Sequence, residues 1–142
     1  MTDSLSVEDK LAVHELLARV SSAMDEHTVQ DLVGLFAENA KFSMRIGGGE
    51  LIGPFEGRAS IVSMMDTTIS AQTDKRRHLV SNIFFGSRDE TGMVEVSSNL
   101  TLLSTEHGEI TLLSAGVYHD RVQQVDGDWQ LFSRHLELDK SY

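Results

Sequence analysis

The sequence predicts an α+β fold in which helices cover one face of a long antiparallel sheet. Two observations carry this. Near the N-terminus, apolar residues recur at helical spacing: Leu16, Val20 and Met24 lie four apart, with Leu11, Val13 and Leu17 beside them. From Arg77 onward the pattern becomes strand-like alternation broken by turn signals, of which Asp126-Gly127 is the strongest. A long twisted sheet that curls over its helices encloses a concave site where a small ligand would bind. The 142 residues suit one domain, 1–142, with one core.

The elements follow in order. Ser6 can cap a first helix, and Glu8 and Asp9 suit the positive end of its dipole. That helix runs about five turns and ends near Asp25, which falls on the stripe of Leu17 and Ser21. A carboxylate there sits at the electrostatically unfavourable end, a local conflict that points to function. Thr28 caps a second, shorter helix that buries Leu32, Leu35 and Phe36 and ends at Asn39-Ala40. Phe42, Met44 and Ile46 alternate with polar residues as a half-buried strand. After Gly47-Gly48-Gly49, a return strand over Leu51–Phe55 contains Gly53-Pro54, which places it at an edge. A third helix spans Arg58–Ile69, its Met64 and Met65 suited to an adaptable wall. Four hairpin-linked strands complete the fold: His78–Phe85, Met93–Ser104, Ile110–Val122 and Trp129–Leu138.

Composition removes several functions. With net charge −10 and a single short basic cluster, Lys75-Arg76-Arg77, the surface repels a phosphate backbone, so no nucleic-acid partner is expected. No apolar run is long enough for a membrane span. The residues Met1–Ser6 have neither the basic nor the apolar region of a leader. The absence of cysteine removes disulfides, thiolate chemistry and cysteine-ligated metal, and fits a cytoplasmic protein. The six histidines show no pair at helical metal-ligand spacing, and no metal site is expected.

The most informative stretch is His78–Phe85. Strict alternation would put His78, Val80, Asn82 and Phe84 on one face. Polar groups on such an inward face need partners. Asp25 is the expected partner of His78. The opposite face, with Leu79, Ile83 and Phe85, would be exposed and would drive self-association into a dimer or trimer.

Three stretches, in this element order, resemble the SnoaL-like branch of the nuclear transport factor 2-like superfamily. They are Ala23-Met24-Asp25 through Asp31–Ala40, Arg77–Asn82, and Gly116–Asp120 with Asp126–Trp129 and Arg134. The resemblance covers nearly the whole chain and implies a conical sheet wrapped around three N-terminal helices. It also implies a range of activities, including dehydratases, dehydrochlorinases and isomerases, and non-catalytic β subunits of ring-hydroxylating dioxygenases. Asp25 and His78 match the Asp–His pair of scytalone dehydratase and hexachlorocyclohexane dehydrochlorinase. Scytalone dehydratase has a tyrosine where this chain has Met24, and a second histidine on the strand that here spans Val94–Leu102 and has none. Dehydration of that particular substrate is therefore not expected.

The chemistry expected of the pair is proton removal. A neutral imidazole is available as a base at neutral pH, and a carboxylate on one ring nitrogen fixes its tautomer and stabilises the imidazolium. His78 is the expected general base and Asp25 its orienting acid. Asn82 would place the substrate, with Phe42, Met64, Met65 and Val80 lining the pocket. The reaction class is elimination or isomerisation of a small apolar, aromatic or polycyclic molecule, with no cofactor. The alternative is a ligand-binding or subunit protein in which the same pair is structural.

Overall fold

The computed structural model describes residues 5–142. The leader expectation rests in part on Met1–Ser4, which lie outside the described residues. The first helix, α1, spans Val7–Asp25 and is capped by Ser6, whose Oγ accepts the Asp9 N–H at 3.0 Å. It buries Val13, Leu16, Leu17 and Val20, while Leu11 stays exposed.

The expected second helix is a six-residue 3₁₀ segment, Val29–Gly34, without a side-chain cap from Thr28. The expected helical end at Asn39-Ala40 is instead strand: β1 spans Phe36–Ile46. Pairing overrides helical propensity here. Leu131 donates its N–H to the Leu35 carbonyl at 2.9 Å, and Phe36 pairs with Leu131, which draws the segment into the sheet. Strand β2, Ile52–Glu56, is an edge. The second α-helix, α2, spans Arg58–Ser70 and therefore follows two strands rather than grouping with the first helices. Its Ile61, Met65 and Ile69, four apart, are buried.

Strands β3 (Lys75–Arg88), β4 (Val94–Glu106), β5 (Glu109–Val125) and β6 (Asp128–Leu138) form the meander. The six-stranded sheet has the order β2-β1-β6-β5-β4-β3. Every neighbouring pair is antiparallel except β1 and β6, which run parallel. The purely antiparallel expectation is corrected at this pair, which joins segments far apart in sequence and so needs no hairpin.

Four register shifts bend the long strands of the meander: between Ser81 and Phe84 and between Phe85 and Arg88 on β3, between Leu102 and Leu103 in the β4–β5 ladder, and between Leu131 and Ser133 on β6. At Gly116 the backbones approach so closely that a Cβ would collide with the Glu137 carbonyl oxygen, so only glycine fits. The curved sheet packs its inner face on α1, the 3₁₀ segment and α2. Most of the buried apolar side chains lie between them. A smaller cluster, Leu100, Tyr118, Leu136 and Leu138, floors one end.

Candidate functional site

Asp25 closes α1 at the end its charge should avoid, and β3 supplies the compensation. Its two carboxylate oxygens accept the His78 backbone N–H at 3.1 and 3.0 Å. Oδ1 also lies 2.6 Å from Nδ1 of the His78 ring. The two side chains are only 10% and 9% exposed. A carboxylate oxygen accepts, so the contact pairs it with an Nδ1–H, and in a neutral ring with that tautomer Nε2 is the acceptor.

His78 forms part of the wall of a cavity of about 90 Å³ between α2 and the inner face of the sheet. Met24, Met44, Met64 and Met65 supply four of the chain's six methionines to that wall, beside Phe42 and Leu100. Unbranched thioether chains repack around differently shaped guests. Asp25 does not line this cavity. It faces an open groove between α1 and β3, which it shares with Ser21, Arg77, Val80 and the other side of His78. The pair is thus a partition between an apolar chamber and a polar groove.

The chamber wall also includes an arginine. Arg134, on β6, borders it and is fully enclosed. Its Nε and Nη2 donate to the two oxygens of Asp120 on β5 at 2.9 and 3.0 Å. Both oxygens accept, which requires the ionised carboxylate, although burial pushes the Asp120 pKa up against the pull of the guanidinium. For Arg134, burial is the largest single influence and acts downward, but the Asp120 charge, Tyr118 and the hydrogen bonds to Asp120 together raise the pKa. The guanidinium also lies 3.7 Å from the centre of the Tyr118 ring, a close cation–π contact. Burial drives the Tyr118 phenol up to about 12. These bonds engage Nε and Nη2 and leave Nη1 out of the pair with Asp120.

Tyr142 contributes its ring to the cavity wall from beyond β6. The Arg76 guanidinium stands 5.0 Å from that ring and is itself paired with Asp74. Ser104 donates to the same carboxylate, and this bond, ahead of the Arg76 contacts, lowers the Asp74 pKa.

Of the residues expected at the site, Phe42, Met64, Met65 and His78 line the cavity. Val80 does not. It lines the outer groove instead. Asn82 is not in either hollow. It is exposed, with φ +52, at the β3 bulge. The extra residue there inverts the facing of the residues that follow, as far as the next register shift after Phe85. Ile83 and Phe85 turn inward against the core, and Phe84 turns out at 63% exposure. The expectation that Asn82 contacts substrate is therefore corrected, as is the expected outer patch of Leu79, Ile83 and Phe85, of which only Leu79 is exposed. His119 and His135 lie on the outer face. His135 pairs with Ser43 at 2.7 Å and with Glu137, away from the chamber. Among the described residues no group of three His, Asp or Glu side chains could hold a metal ion, and no helix is long and apolar enough to cross a membrane.

The model of a SnoaL-like domain matches residues 5–135. The chain belongs to the SnoaL-like domain family. This SnoaL-like protein has no match among curated proteins, but solved structures share its fold. A Nostoc punctiforme protein of unknown function with a cystatin-like fold is 22% identical. It aligns over 98% of this chain and 96% of its own, with a TM-score of 0.78. A candidate scytalone dehydratase from Novosphingobium aromaticivorans is 23% identical over 93% of this chain and 85% of its own, with a TM-score of 0.74. The β subunit of a candidate aromatic-ring-hydroxylating dioxygenase from the same organism is 18% identical over 92% and 89%, with a TM-score of 0.76. At these identities the likeness is one of fold.

Sequence reasoning assigned no site role to Arg134, Asp120, Tyr118 or Met44 of this SnoaL-like chain. A signal for the ion pair was present. Tyr118, Asp120 and Val122 alternate with outward residues, and counting back from the Asp126-Gly127 hairpin puts an acid within one step of an arginine on a face otherwise apolar.

Proposed function

We propose that this SnoaL-like protein is a cofactor-free lyase or isomerase acting on a small, largely apolar carbon acid. The observation that supports this best is the orientation of His78. Asp25 occupies Nδ1, so the remaining nitrogen is the free base, and the ring forms part of the chamber wall. In the proposed step Nε2 takes a proton from a carbon next to a carbonyl. The C–H electron pair forms a carbon–carbon double bond as the carbonyl π pair moves onto oxygen, and the Arg134 Nη1–H donates to the developing oxyanion. The Asp25 carboxylate stabilises the imidazolium. The intermediate then expels a β-substituent, which gives elimination, or recovers the proton at another carbon, which gives isomerisation. A positioned base contributes about 10²–10⁴-fold, and a preorganised donor to the oxyanion a comparable factor.

One observation favours a second reading. Asp25 also grips the His78 backbone N–H, so the pair clasps α1 to β3 whatever the ring does. A ligand-binding or subunit protein, of the kind the dioxygenase β-subunit likeness suggests, would keep such a clasp. In that case the sheet's outer face, which carries Leu79 and Phe84, is the surface for assembly into a homodimer or homotrimer.

Deuterium uptake at the α-carbon of small ketones, and dehydration of their β-hydroxy derivatives, can be followed by NMR in D₂O. Wild-type turnover above background, reduced at least about 10²-fold in a folded His78→Gln variant, is the expected result. Equal rates in the two proteins, with ligand affinity altered instead, would transfer the pair to the scaffold reading.

A further inference from the structure

From the same chamber we infer that it is charge-balanced from outside its walls and selects uncharged carbonyl compounds over carboxylates, phosphates and amines, with Asp120 as the specificity-determining residue. The inference rests on the reading of the chamber as the ligand site and names the class of ligand.

Two groups bordering the chamber can carry positive charge, His78 and Arg134. Each has its own carboxylate, and neither carboxylate borders the chamber: Asp25 faces the groove, and Asp120 lies behind Arg134. Both oxygens of Asp120 are occupied by the guanidinium, so its charge is spent before any guest arrives. Near the cavity's edge, Arg76 is balanced in the same way by Asp74. The rest of the wall is methionine, aliphatic and aromatic apart from Thr68, whose hydroxyl donates to the Met64 carbonyl, and none of it carries charge at neutral pH. A guest with a full negative charge would lose its hydration and meet a hydrogen-bond donor but no unbalanced cation. Desolvation is then not repaid. A cationic guest would meet no free carboxylate. The chain's net charge of −10 adds a further barrier to anions approaching from solution.

A neutral carbonyl group fits these groups. Its oxygen accepts from Nη1 of Arg134, and it becomes negative only as a proton leaves for His78, when the donor is worth more to it than in the ground state. Charge balance therefore serves differential binding: the ground state is held weakly and the enolate strongly.

The test uses matched probes of one shape, acetophenone, benzoate and benzylammonium, with affinities from ligand-observed NMR titration. Wild type is expected to hold acetophenone at least about tenfold more tightly than either ion, a difference set by uncompensated desolvation. In Asp120→Asn the guanidinium loses its counter-charge, and benzoate is expected to gain about tenfold or more relative to acetophenone. Benzoate binding wild type as well as acetophenone does would overturn the inference. So would an Asp120→Asn variant whose ratio is unchanged. If that variant does not fold, the wild-type ratio decides: benzoate held within about tenfold of acetophenone overturns the inference, and a wider gap upholds it. The selectivity found without any ketone turnover would sink the catalytic reading and leave this inference standing. Turnover of ketones by a chamber that prefers benzoate would do the reverse.

Discussion

Asp120 and Arg134 stand directly opposite each other on β5 and β6 because one residue is bulged out of the ladder between Leu131 and Ser133. Nearer the hairpin, Val122 pairs with Leu131. Without the bulge that register would have set Asp120 against Ser133. The extra residue brings the acid to the arginine and returns Arg134 to the inner face. The pair thus depends on a local irregularity as much as on its own attraction.

Because both partners are enclosed, single substitutions leave a bare charge behind. Asp120→Ala or Arg134→Met is expected to destabilise by about 3–5 kcal/mol. The double variant Asp120→Leu/Arg134→Met should recover most of that loss, since it removes both desolvation costs together. Urea unfolding of the three proteins checks this, and a double variant no more stable than the singles would contradict it.

The Asp25 clasp makes a separate prediction. Asp25→Asn keeps the shape but removes the ionised acceptor, and is expected to lower stability by about 1.5–3 kcal/mol. In ¹⁵N-resolved NMR the His78 ring should lose its single Nδ1–H tautomer and become a mixture. A ring that keeps one tautomer in the variant would mean that something other than Asp25 orients it.

Alkaline pH should weaken the fold through Tyr118. Its folded pKa is raised to about 12 by burial, from an ordinary value of 10.0. A raised acid holds its proton longer in the native state, so its contribution is complete below pH 10, declines as the unfolded chain ionises, and is lost by about 12. The full contribution is on the order of 3 kcal/mol. Stability profiles between pH 9 and 12 should fall more gently for Tyr118→Phe than for wild type.

Asn82 should behave as a backbone residue. Its φ of +52 suits glycine. Asn82→Gly is expected to leave stability within a few tenths of a kcal/mol, as befits a compatible site. Asn82→Val should cost about 1–2 kcal/mol from left-handed strain. Neither should alter ligand affinity. A ligand effect from Asn82→Gly in a stable protein would return Asn82 to the site.

The sequence made the element types and most of their order legible because the periodicities are clean: α1 every four residues, the meander every two. It failed where a long-range partner decides. Phe36–Ala40 reads as the end of a helix until β6 is there to pair with it. Asn82 was placed by alternation, and alternation holds only up to the next bulge, which no spacing announces. Val80 lies before that bulge on the same side as His78, and alternation does not tell which of two neighbouring hollows a residue lines. Asp25 was visible because it sits at the wrong end of a helix. Arg134 was less so, because an arginine on a strand looks solvent-facing until its carboxylate is seen across the ladder.

The parallel pairing of β1 with β6 has a kinetic consequence. Ser43 and His135, bonded across it, are 92 residues apart in sequence. During synthesis β1 has only the short β2 and nearby helices as neighbours until the last strand emerges. Closing so long a loop is the slow entropic step, and the chamber cannot be complete before it, since Phe42 and Met44 come from one side of the seam and Arg134 and Leu136 from the other. The chamber is completed in a late closure, and refolding should restore ligand binding in the same kinetic phase as the last of the sheet signal.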